Sequence, residues 1–307
     1  MTNGSHLTQF AGFSVSLWEP GQPLGDPATS VHRIAVEYDD EQSWSDKFHA
    51  FLHLPGVGET QGLVVGLWDG EAGTGVSPQP MVEALVAAHT SLPKLRALFI
   101  NDIVGEESEI SWIPNTDLSP VFAAYPHLEH LGIRGGNGLS LGRVSLPKLR
   151  SLVIEAGGLS AEVVREVMSA ELPELEHLEL YLGTEDYGAT STPEDFAPLL
   201  GGELFPRLKY LGLKNSDRQD EVAQVLAQAQ VLQGLDMLDL SMGTLTDEGA
   251  AALIASPLVA KLKKLDVSHH WCSDEMVAKL KALPIEVDAD DQQEADEDDW
   301  RYVSLGE

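Results

Sequence analysis

The chain has 307 residues, 43% of them hydrophobic, and its 49 acidic against 19 basic side chains give a formal net charge of −30. This length and composition allow a sizeable core, in one large domain or two ordinary ones. A field of this sign repels nucleic acid and anionic lipid and excludes both as expected partners, while it is compatible with a basic partner. The alternative interpretation is that the acidity only keeps the protein soluble.

The sequence contains no recognisable targeting segment. Its first 32 residues contain no Lys or Arg and are not followed by a long apolar run, which is unlike a secretory signal. No stretch approaches the roughly 18 consecutive apolar residues of a membrane helix. The single cysteine, Cys272, excludes an internal disulfide. We therefore predict a cytoplasmic protein.

Residues 1–60 are predicted to form an N-terminal cap with a first, irregular repeat. A helix is expected over 43–54, which contains Trp44, Phe48 and Phe51. The pair Ile34 and Val36 indicates an irregular strand. The apolar residues expected to cover the first repeat are Phe10, Phe13, Val15 and Trp18.

Residues 61–288 contain a repeated phrase. It reads Leu-Pro-Lys-Leu-Arg-Ala-Leu-Phe-Ile at 92–100 and contains the pattern L-x-x-L-x-[LI]. Further matches lie at 128–133, 146–154, 172–180, 205–213, 235–240 and, with Val in the last position, 262–267. Their fourth positions fall at 98, 131, 152, 178, 211, 238 and 265. These steps are close to the period of about 20–29 residues of leucine-rich repeats, and each match predicts a strand.

The irregular pairs Val65 with Leu67 and Ile285 with Val287 extend the series of strands. Between the strands lie segments with helical character, at 80–89, 160–170, 220–229, 246–255 and 273–280. Thr246 and Ser273 precede acidic pairs, as helix N-caps do. The sequence therefore predicts strand–loop–helix units whose apolar faces become buried when the units stack.

The segment Leu-Asp-Met-Leu-Asp-Leu-Ser-Met-Gly-Thr-Leu-Thr-Asp-Glu-Gly-Ala-Ala-Ala-Leu at 235–253 resembles the ribonuclease-inhibitor class of leucine-rich repeats, over about 60–290. The resemblance implies an α/β solenoid, a horseshoe with parallel strands on its concave face and helices on its convex face. The family has Asn or Cys at the ninth position. This chain has glycine there at Gly136, Gly157, Gly183 and Gly243. We expect tight backbone turns in place of the family's side-chain ladder.

The whole chain is similar to a bacterial, largely actinobacterial, group of leucine-rich-repeat proteins. The phrases that carry this likeness lie at 109–113, 132–140, 239–245 and 301–303. Such proteins resemble accessory members of gene clusters that encode radical-type and ATP-grasp-type enzymes. The resemblance implies a scaffold or substrate-binding subunit for a modifying pathway.

Alternation along each strand places the third, fifth and seventh positions on the expected concave face. The candidate partner-binding residues there are Trp68, Phe99, Asn101, His130, Arg134, Glu155, His177, Tyr181, Tyr210 and Lys214. Aromatic and arginine side chains often dominate binding energy. We expect a docked protein or peptide, with Arg134 and Lys214 pairing with its acids. The alternative is that repeat geometry puts some residue there regardless and this is merely a soluble surface.

No motif predicts catalysis, a cofactor or a metal. His269 and His270 lack a third ligand at suitable spacing, and the acidic loop at 102–109 lacks calcium-loop spacing. Cys272 is expected to be a small buried residue, and the glycine-rich stretch at 132–138 lacks the phosphate-loop pattern. We predict a non-catalytic binding module. The alternative is an accessory subunit that presents a substrate to a partner enzyme.

Residues 289–307 form a separate tail. Eight of the twelve residues at 288–299 are acidic, a composition typical of solvated, disordered segments. The chain nevertheless closes with Trp-Arg-Tyr-Val-Ser-Leu at 300–305, which is apolar and strand-like. We predict that 300–305 docks, either on the repeats or on a partner.

Overall fold

The computed structural model describes residues 4–27, 29–70, 76–294 and 300–306. The chain forms two compact units. Unit 1 holds the described residues up to Glu155 together with Ala170–Leu172, and unit 2 holds Ala156–Ser169 together with Pro173–Gly306.

Unit 1 is built on strands that are neighbours in the same order as in the chain. The strands are β1 Gln9–Phe10, β2 Phe13–Leu17, β3 Ser30–Ile34, β4 Gly62–Val65, β5 Ala97–Ile100, β6 His130–Arg134 and β7 Ser151–Glu155. β1 and β2 form an antiparallel hairpin, and every later pair is parallel. The α-helices are α1 Trp44–Leu52, α2 Gln79–Ala87 and α3 Ser119–Ala124.

Unit 2 repeats this plan with parallel strands, again in chain order. The strands are β8 His177–Gly183, β9 Tyr210–Ser216, β10 Met237–Asp239, β11 Lys264–Asp266 and β12 Glu286–Asp288. The α-helices are α4 Ala161–Met168, α5 Ala197–Leu200, α6 Gln219–Leu226, α7 Asp247–Ala255 and α8 Asp274–Lys281.

The seven predicted strands occur, and their fourth positions pair across neighbouring strands. Leu98 pairs with Leu131, and Leu131 with Leu152, in unit 1. In unit 2 the paired leucines are Leu178, Leu211, Leu238 and Leu265. All seven are buried, so the apolar ladder that the repeat predicts forms the core of each unit.

The register is wrong by two residues in the three irregular strands, where the first residue of each predicted pair was expected at the fourth position. Leu63, not Val65, pairs with Leu98, and His32 in turn pairs with Leu63. At the other end, Val287 rather than Ile285 pairs with Leu265. A slip of two residues leaves the same side chains facing the core, so the hydrophobic pattern cannot distinguish the two registers.

The helices predicted from the sequence occur with boundaries shifted by a few residues at most. Ser43 and Asp46 form a capping box at the start of α1, and Ser160, Thr246 and Ser273 cap three helices of unit 2. None of the helices in the described ranges is long and apolar enough to span a bilayer.

The turn that follows most strands contains one residue with a left-handed backbone conformation. This residue in general occupies the eighth position of the repeat, and not the ninth, where glycine turns were expected from the sequence. In unit 2 the left-handed residues of these turns are Gly183, Asn215, Met242, His269 and Asp291. Side chains also satisfy backbone groups in one turn of unit 1, where Asn115 donates to the carbonyl oxygens of Arg134 and Gly135. The expectation that glycines at the ninth position replace the side-chain ladder is therefore correct only at Gly183.

Gly183 lies where two backbone segments of unit 2 pass close to each other. It has a φ of 76°, and a Cβ atom there would lie 1.9 Å from the carbonyl oxygen of Gly157. We expect Gly183→Ala to lower the free energy of unfolding by about 2–3 kcal/mol through strain and overpacking. Urea unfolding measures this change. The control Gly201→Ala, with nothing within 4 Å of the added Cβ, should not destabilise. Equal stabilities for the two variants would contradict the prediction.

Candidate functional site

We call the sheet face that carries the third, fifth and seventh positions of each repeat the odd-position face. In unit 1 this face is covered by an N-terminal arm, residues 6–17. The apolar side chains of the arm, Leu7, Phe10, Phe13 and Val15, pack on a cluster formed by Val31, Val64 and Phe99. Phe10 meets Phe99 edge to face, with 5.6 Å between ring centroids. Phe99, predicted to contact a partner, is thus buried by the chain itself.

Glycine at one position makes room for this packing. A Cβ on Gly132 would lie 2.1 Å from Cδ2 of Phe99, so only glycine lets the Phe99 ring lie over β6. Trp18, predicted to cover the first repeat together with the arm, packs edge to face against Phe51 of α1.

Arg134 lies in a buried charge network beneath the arm. Its Nε lies 2.6 Å from Oε2 of Glu155, and its Nη1 donates to the carbonyl oxygen of Ile103 at 2.7 Å. Asp102 lies between Arg134 at 3.5 Å and Arg33 at 2.9 Å. The prediction that Arg134 presents its charge to a partner is not supported by this geometry, because its guanidinium is already paired inside unit 1.

Trp68 and Asn101 are also inward-facing. Trp68 follows β4 rather than lying on it, and its Nε1 donates to Oδ1 of Asn101 at 3.1 Å. Asn101 donates in turn to the side chain of Asn115 and to the carbonyl oxygen of Arg134. The structure therefore brings five of the predicted unit 1 residues together, but as a buried network. His130 is half-buried.

In unit 2 the odd-position face has no such cover among the described contacts, and it carries an aromatic pair. The rings of His177 and Tyr210 stack at 4.0 Å with an interplanar angle of 8°, and both are half-buried. The Tyr210 hydroxyl donates to Oδ2 of Asp239 at 2.6 Å, and Nε2 of His177 lies 3.1 Å from Oε2 of Glu179. These two contacts hold the stacked rings in one orientation.

Lys214 lies among the same residues. Its Nζ is 3.0 Å from Asp239 and 3.4 Å from Glu179, and it lies 5.2 Å from the ring centroid of Tyr181, which is fully buried. The ammonium group is therefore neutralised by two carboxylates of its own unit and by an aromatic face. We expected Lys214 to pair with an acidic group of a partner. This expectation is not supported, for the same reason as at Arg134.

The charges of this cluster stabilise each other. Burial alone would lower the pKa of Lys214, but the charges of Asp239 and Glu179 outweigh it and raise that pKa. Burial opposes ionisation of both carboxylates, yet the pKa of each is lowered. For Glu179 the cause is the hydrogen bond to His177 and the charge of Lys214, and for Asp239 it is chiefly Lys214.

A row of aspartates at the fifth position continues this face. Asp239 and Asp266 each accept the backbone N–H two residues later, from Ser241 at 2.9 Å and Ser268 at 3.0 Å. Asp288 follows on β12. Burial and the neighbouring aspartates raise the pKa of Asp266. The sequence places Asp239 and Asp266 at the fifth position, but neither is among the predicted partner-binding residues, although the repeated Leu-Asp-x-Ser at 238–241 and 265–268 is a visible signal.

The residues that the sequence offered as weaker candidates for a metal site or a reactive group interact with other residues of the chain. His270 is buried, with Nε2 3.2 Å from the carbonyl oxygen of Ala289, and its Nδ1 accepts the backbone N–H of Cys272. Burial raises the pKa of the Cys272 thiol to about 12, so the thiol stays protonated at neutral pH. In the acidic loop, Asp102 and Glu107 pair with Arg33.

The C-terminal segment docks on unit 2. Val303 is buried, and Leu305 exchanges two hydrogen bonds with the side chain of Asn215. The acidic run is not uniformly solvated either, since Ala289 is buried and Gln293 donates to the carbonyl oxygen of His270. Within that run, 295–299 lie outside the described residues.

Parallel strands in a recurring leucine register, joined by short helices, define a leucine-rich-repeat-like α/β solenoid. Neither a protein-family model nor a curated protein matches the chain. A crystal structure of a Bacteroides fragilis protein from a structural-genomics programme is similar, with 35% identity, a TM-score of 0.81, and coverage of 89% of this chain and 76% of that one. The chain belongs to the family of this Bacteroides protein. The likeness to an actinobacterial group stays a prediction.

An internalin, InlF of Listeria monocytogenes, aligns over 83% of this chain and 85% of its own. The identity is 15% and the TM-score is 0.31, which is too low to support an argument.

Arg134 provides a test of the buried network. Arg134→Met leaves the Glu155 carboxylate buried without its cation, so we expect a loss of about 3–5 kcal/mol in the free energy of unfolding. The control Arg143→Met removes a side chain that is 84% exposed and pairs with Glu171, and it should cost less than about 1 kcal/mol. Chemical denaturation measures both. Similar losses for the two variants would show that the network contributes little.

Lys214 provides a pH-dependent test. The lowered pKa values of Glu179 and Asp239 give stability that is present above their ordinary range and is lost as the pH falls through the lowered values. Lys214→Met removes the pairing, so the stability difference from the wild type should be largest at pH 7 and shrink below about pH 4. The exposed pair of Lys263 with Asp236 supplies a control, Lys263→Met. A difference for Lys214→Met that does not change with pH would contradict the assignment.

Proposed function

We propose that this protein is a non-catalytic module that binds a protein or peptide through the odd-position face of unit 2. The observation that carries the proposal is the stacked pair of His177 and Tyr210, which is half-buried and fixed by hydrogen bonds to Glu179 and Asp239. In unit 1 the N-terminal arm covers the corresponding apolar cluster. The proposed surface is therefore shorter than the strip predicted from the sequence.

The stacked rings suit the role of a binding anchor. Aromatic side chains bury a large area on binding. Since the two rings are already held in place, they lose little conformational freedom when a partner covers them, and this lowers the entropic cost of binding. Met237 lies beside Tyr210 on the neighbouring strand and is also half-buried. It extends the anchor with a flexible apolar group.

The charges of this face favour a basic partner. Its third and fifth positions carry five carboxylates, those of Glu179, Asp239, Asp266, Glu286 and Asp288. Two ammonium groups oppose them, those of Lys214 and Lys264. The excess of acid has the same sign as the net charge of the chain, so both attract cations. We infer a partner segment with Lys or Arg side chains next to an aromatic or apolar one.

The pKa directions support a role without catalysis. General acid–base catalysis works best with a group that titrates near neutral pH. In this cluster the pKa of Tyr210 is raised by burial and by the nearby carboxylates, and the pKa values of Glu179 and Asp239 are lowered. These three groups are thus moved away from neutrality, and Asp266 is the exception on this face, because burial raises its pKa. The accessory-subunit alternative has no specific observation in its favour.

A random-peptide display library tests the proposal with the full chain as bait. We expect the selected peptides to be rich in Lys or Arg flanking an aromatic residue, and their binding to weaken as salt increases. Asp266→Lys should weaken the best peptide by about tenfold, because it replaces an attractive charge with a repulsive one. Tyr210→Ala should weaken the same peptide by removing half of the anchor.

The matched control is Glu162→Lys, an equal change of charge at an exposed residue of α4. It should leave the affinity within about twofold, since Glu162 lies on a helix and not on the sheet face, and salt screens the charges of exposed residues. Peptides without a basic bias, or equal weakening by Glu162→Lys and Asp266→Lys, would rule out this face as the binding surface.

A further inference from the structure

A second surface of unit 2 holds a peptide that belongs to the chain itself. The surface is the turn edge, defined by the left-handed residues Asn215, Met242 and His269. The peptide is the C-terminal tail, residues 300–306. The tail runs across the turn edge in the reverse order of the chain, with Leu305 at Asn215, Ser304 at Met242 and Tyr302 at His269.

The turn edge binds the tail mainly through backbone groups of the tail. Asn215 accepts the N–H of Leu305 at 2.9 Å and donates to its carbonyl oxygen at 2.6 Å. The carbonyl oxygen of Met242 accepts the N–H of Ser304 at 2.8 Å, and Nε2 of His269 lies 3.2 Å from the carbonyl oxygen of Tyr302. A side-chain amide offers both N–H donors and a carbonyl acceptor, so Asn215 binds the N–H and C=O of one residue as a β-strand would.

Two side chains of the tail contact the turn edge of unit 2 closely, those of Val303 and Tyr302. Val303 is the one tail residue buried on the surface of unit 2 among those described, 300–306. Tyr302 packs edge to face on Trp271, with 5.0 Å between centroids, but remains 52% exposed. Main-chain hydrogen bonds with one small apolar contact and one aromatic contact are the pattern by which peptide grooves bind extended segments.

We propose that the turn edge of unit 2 is a groove for an extended peptide segment of a partner protein, and that the tail occupies it as a tethered competitor. The partner segment has the chemistry of the tail: an aromatic residue, then a β-branched apolar residue, a small residue and leucine. This groove is separate from the odd-position face and does not depend on the function proposed for that face.

The tether determines how the groove responds to a partner. A covalently attached ligand competes at an effective concentration on the order of millimolar. A free peptide with the same contacts therefore binds the intact chain weakly. It binds tightly only when the tail has lost its own contacts.

The test uses the full chain and a fluorescent synthetic peptide, Trp-Arg-Tyr-Val-Ser-Leu-Gly-Glu, which copies 300–307. Val303→Asp in the chain disables the tail but leaves the groove intact, so the peptide should bind this variant at least about tenfold more tightly than the wild type. Adding Asn215→Gly, which keeps the left-handed backbone but removes the amide, should abolish that gain. Anisotropy titration gives the dissociation constants.

Ser304→Ala is the matched control, because Ser304 contributes its backbone N–H and its side chain is exposed. This variant should bind the peptide as weakly as the wild type. The proposal is overturned if Val303→Asp gains no affinity, or if the Asn215→Gly variant keeps the gain.

Two other results would also overturn it. If Val303→Asp does not fold by circular dichroism, the tail is a fixed closure of the repeats and not an exchangeable ligand. If the wild type elutes as a dimer that Val303→Asp converts to a monomer, the occupant is the tail of a second copy and not a partner protein.

Discussion

The stacking of leucines from one repeat onto the next is the constraint on which each unit depends. A single strand–loop–helix repeat cannot bury its own apolar residues, so Leu178 is covered only when Leu211 lies beside it, and Leu211 only when Leu238 follows. The same stacking places equivalent side chains of neighbouring strands about 4.8 Å apart. Any charge on the odd-position face therefore has close neighbours on both sides, and its surroundings are set by the register of the leucines.

This spacing explains why both units treat a buried cation in the same way. Arg134 pairs with an acid of the next strand and lies 5.6 Å from the ring centroid of Phe99, while Lys214 pairs with acids of both flanking strands and lies over Tyr181. A cation that is removed from water requires such partners. In a chain with 19 basic and 49 acidic side chains, carboxylates are in excess. On the odd-position face of unit 2 the carboxylates outnumber the ammonium groups of Lys214 and Lys264 that pair with them, and this excess gives the face its negative character.

The local features of the fold were predictable from the sequence. Seven fourth positions and the main helices follow from periodicity and capping residues, which act within a few residues of each other. The register of the irregular strands was not predictable, because Leu63 and Val65 have the same parity and similar character. The apolar residues of the N-terminal arm were recognised as a cover, but Phe10 and Phe13 carry no information about which face they cover. That choice depends on the room that Gly132 leaves beside Phe99.

The sequence by itself determined that this protein is an α/β repeat with its leucines inside, and it indicated which strand positions share a face. Only the tertiary structure decided that Arg134 and Lys214 are paired within their own units, and that Tyr210 and His177 lie together. It also decided that the tail returns to Asn215, a contact that spans 90 residues. The periodicity of the sequence indicates on which face of its own strand a side chain lies. The identity of its neighbours depends on how separate strands align, and that alignment is set by backbone hydrogen bonds that no single segment encodes.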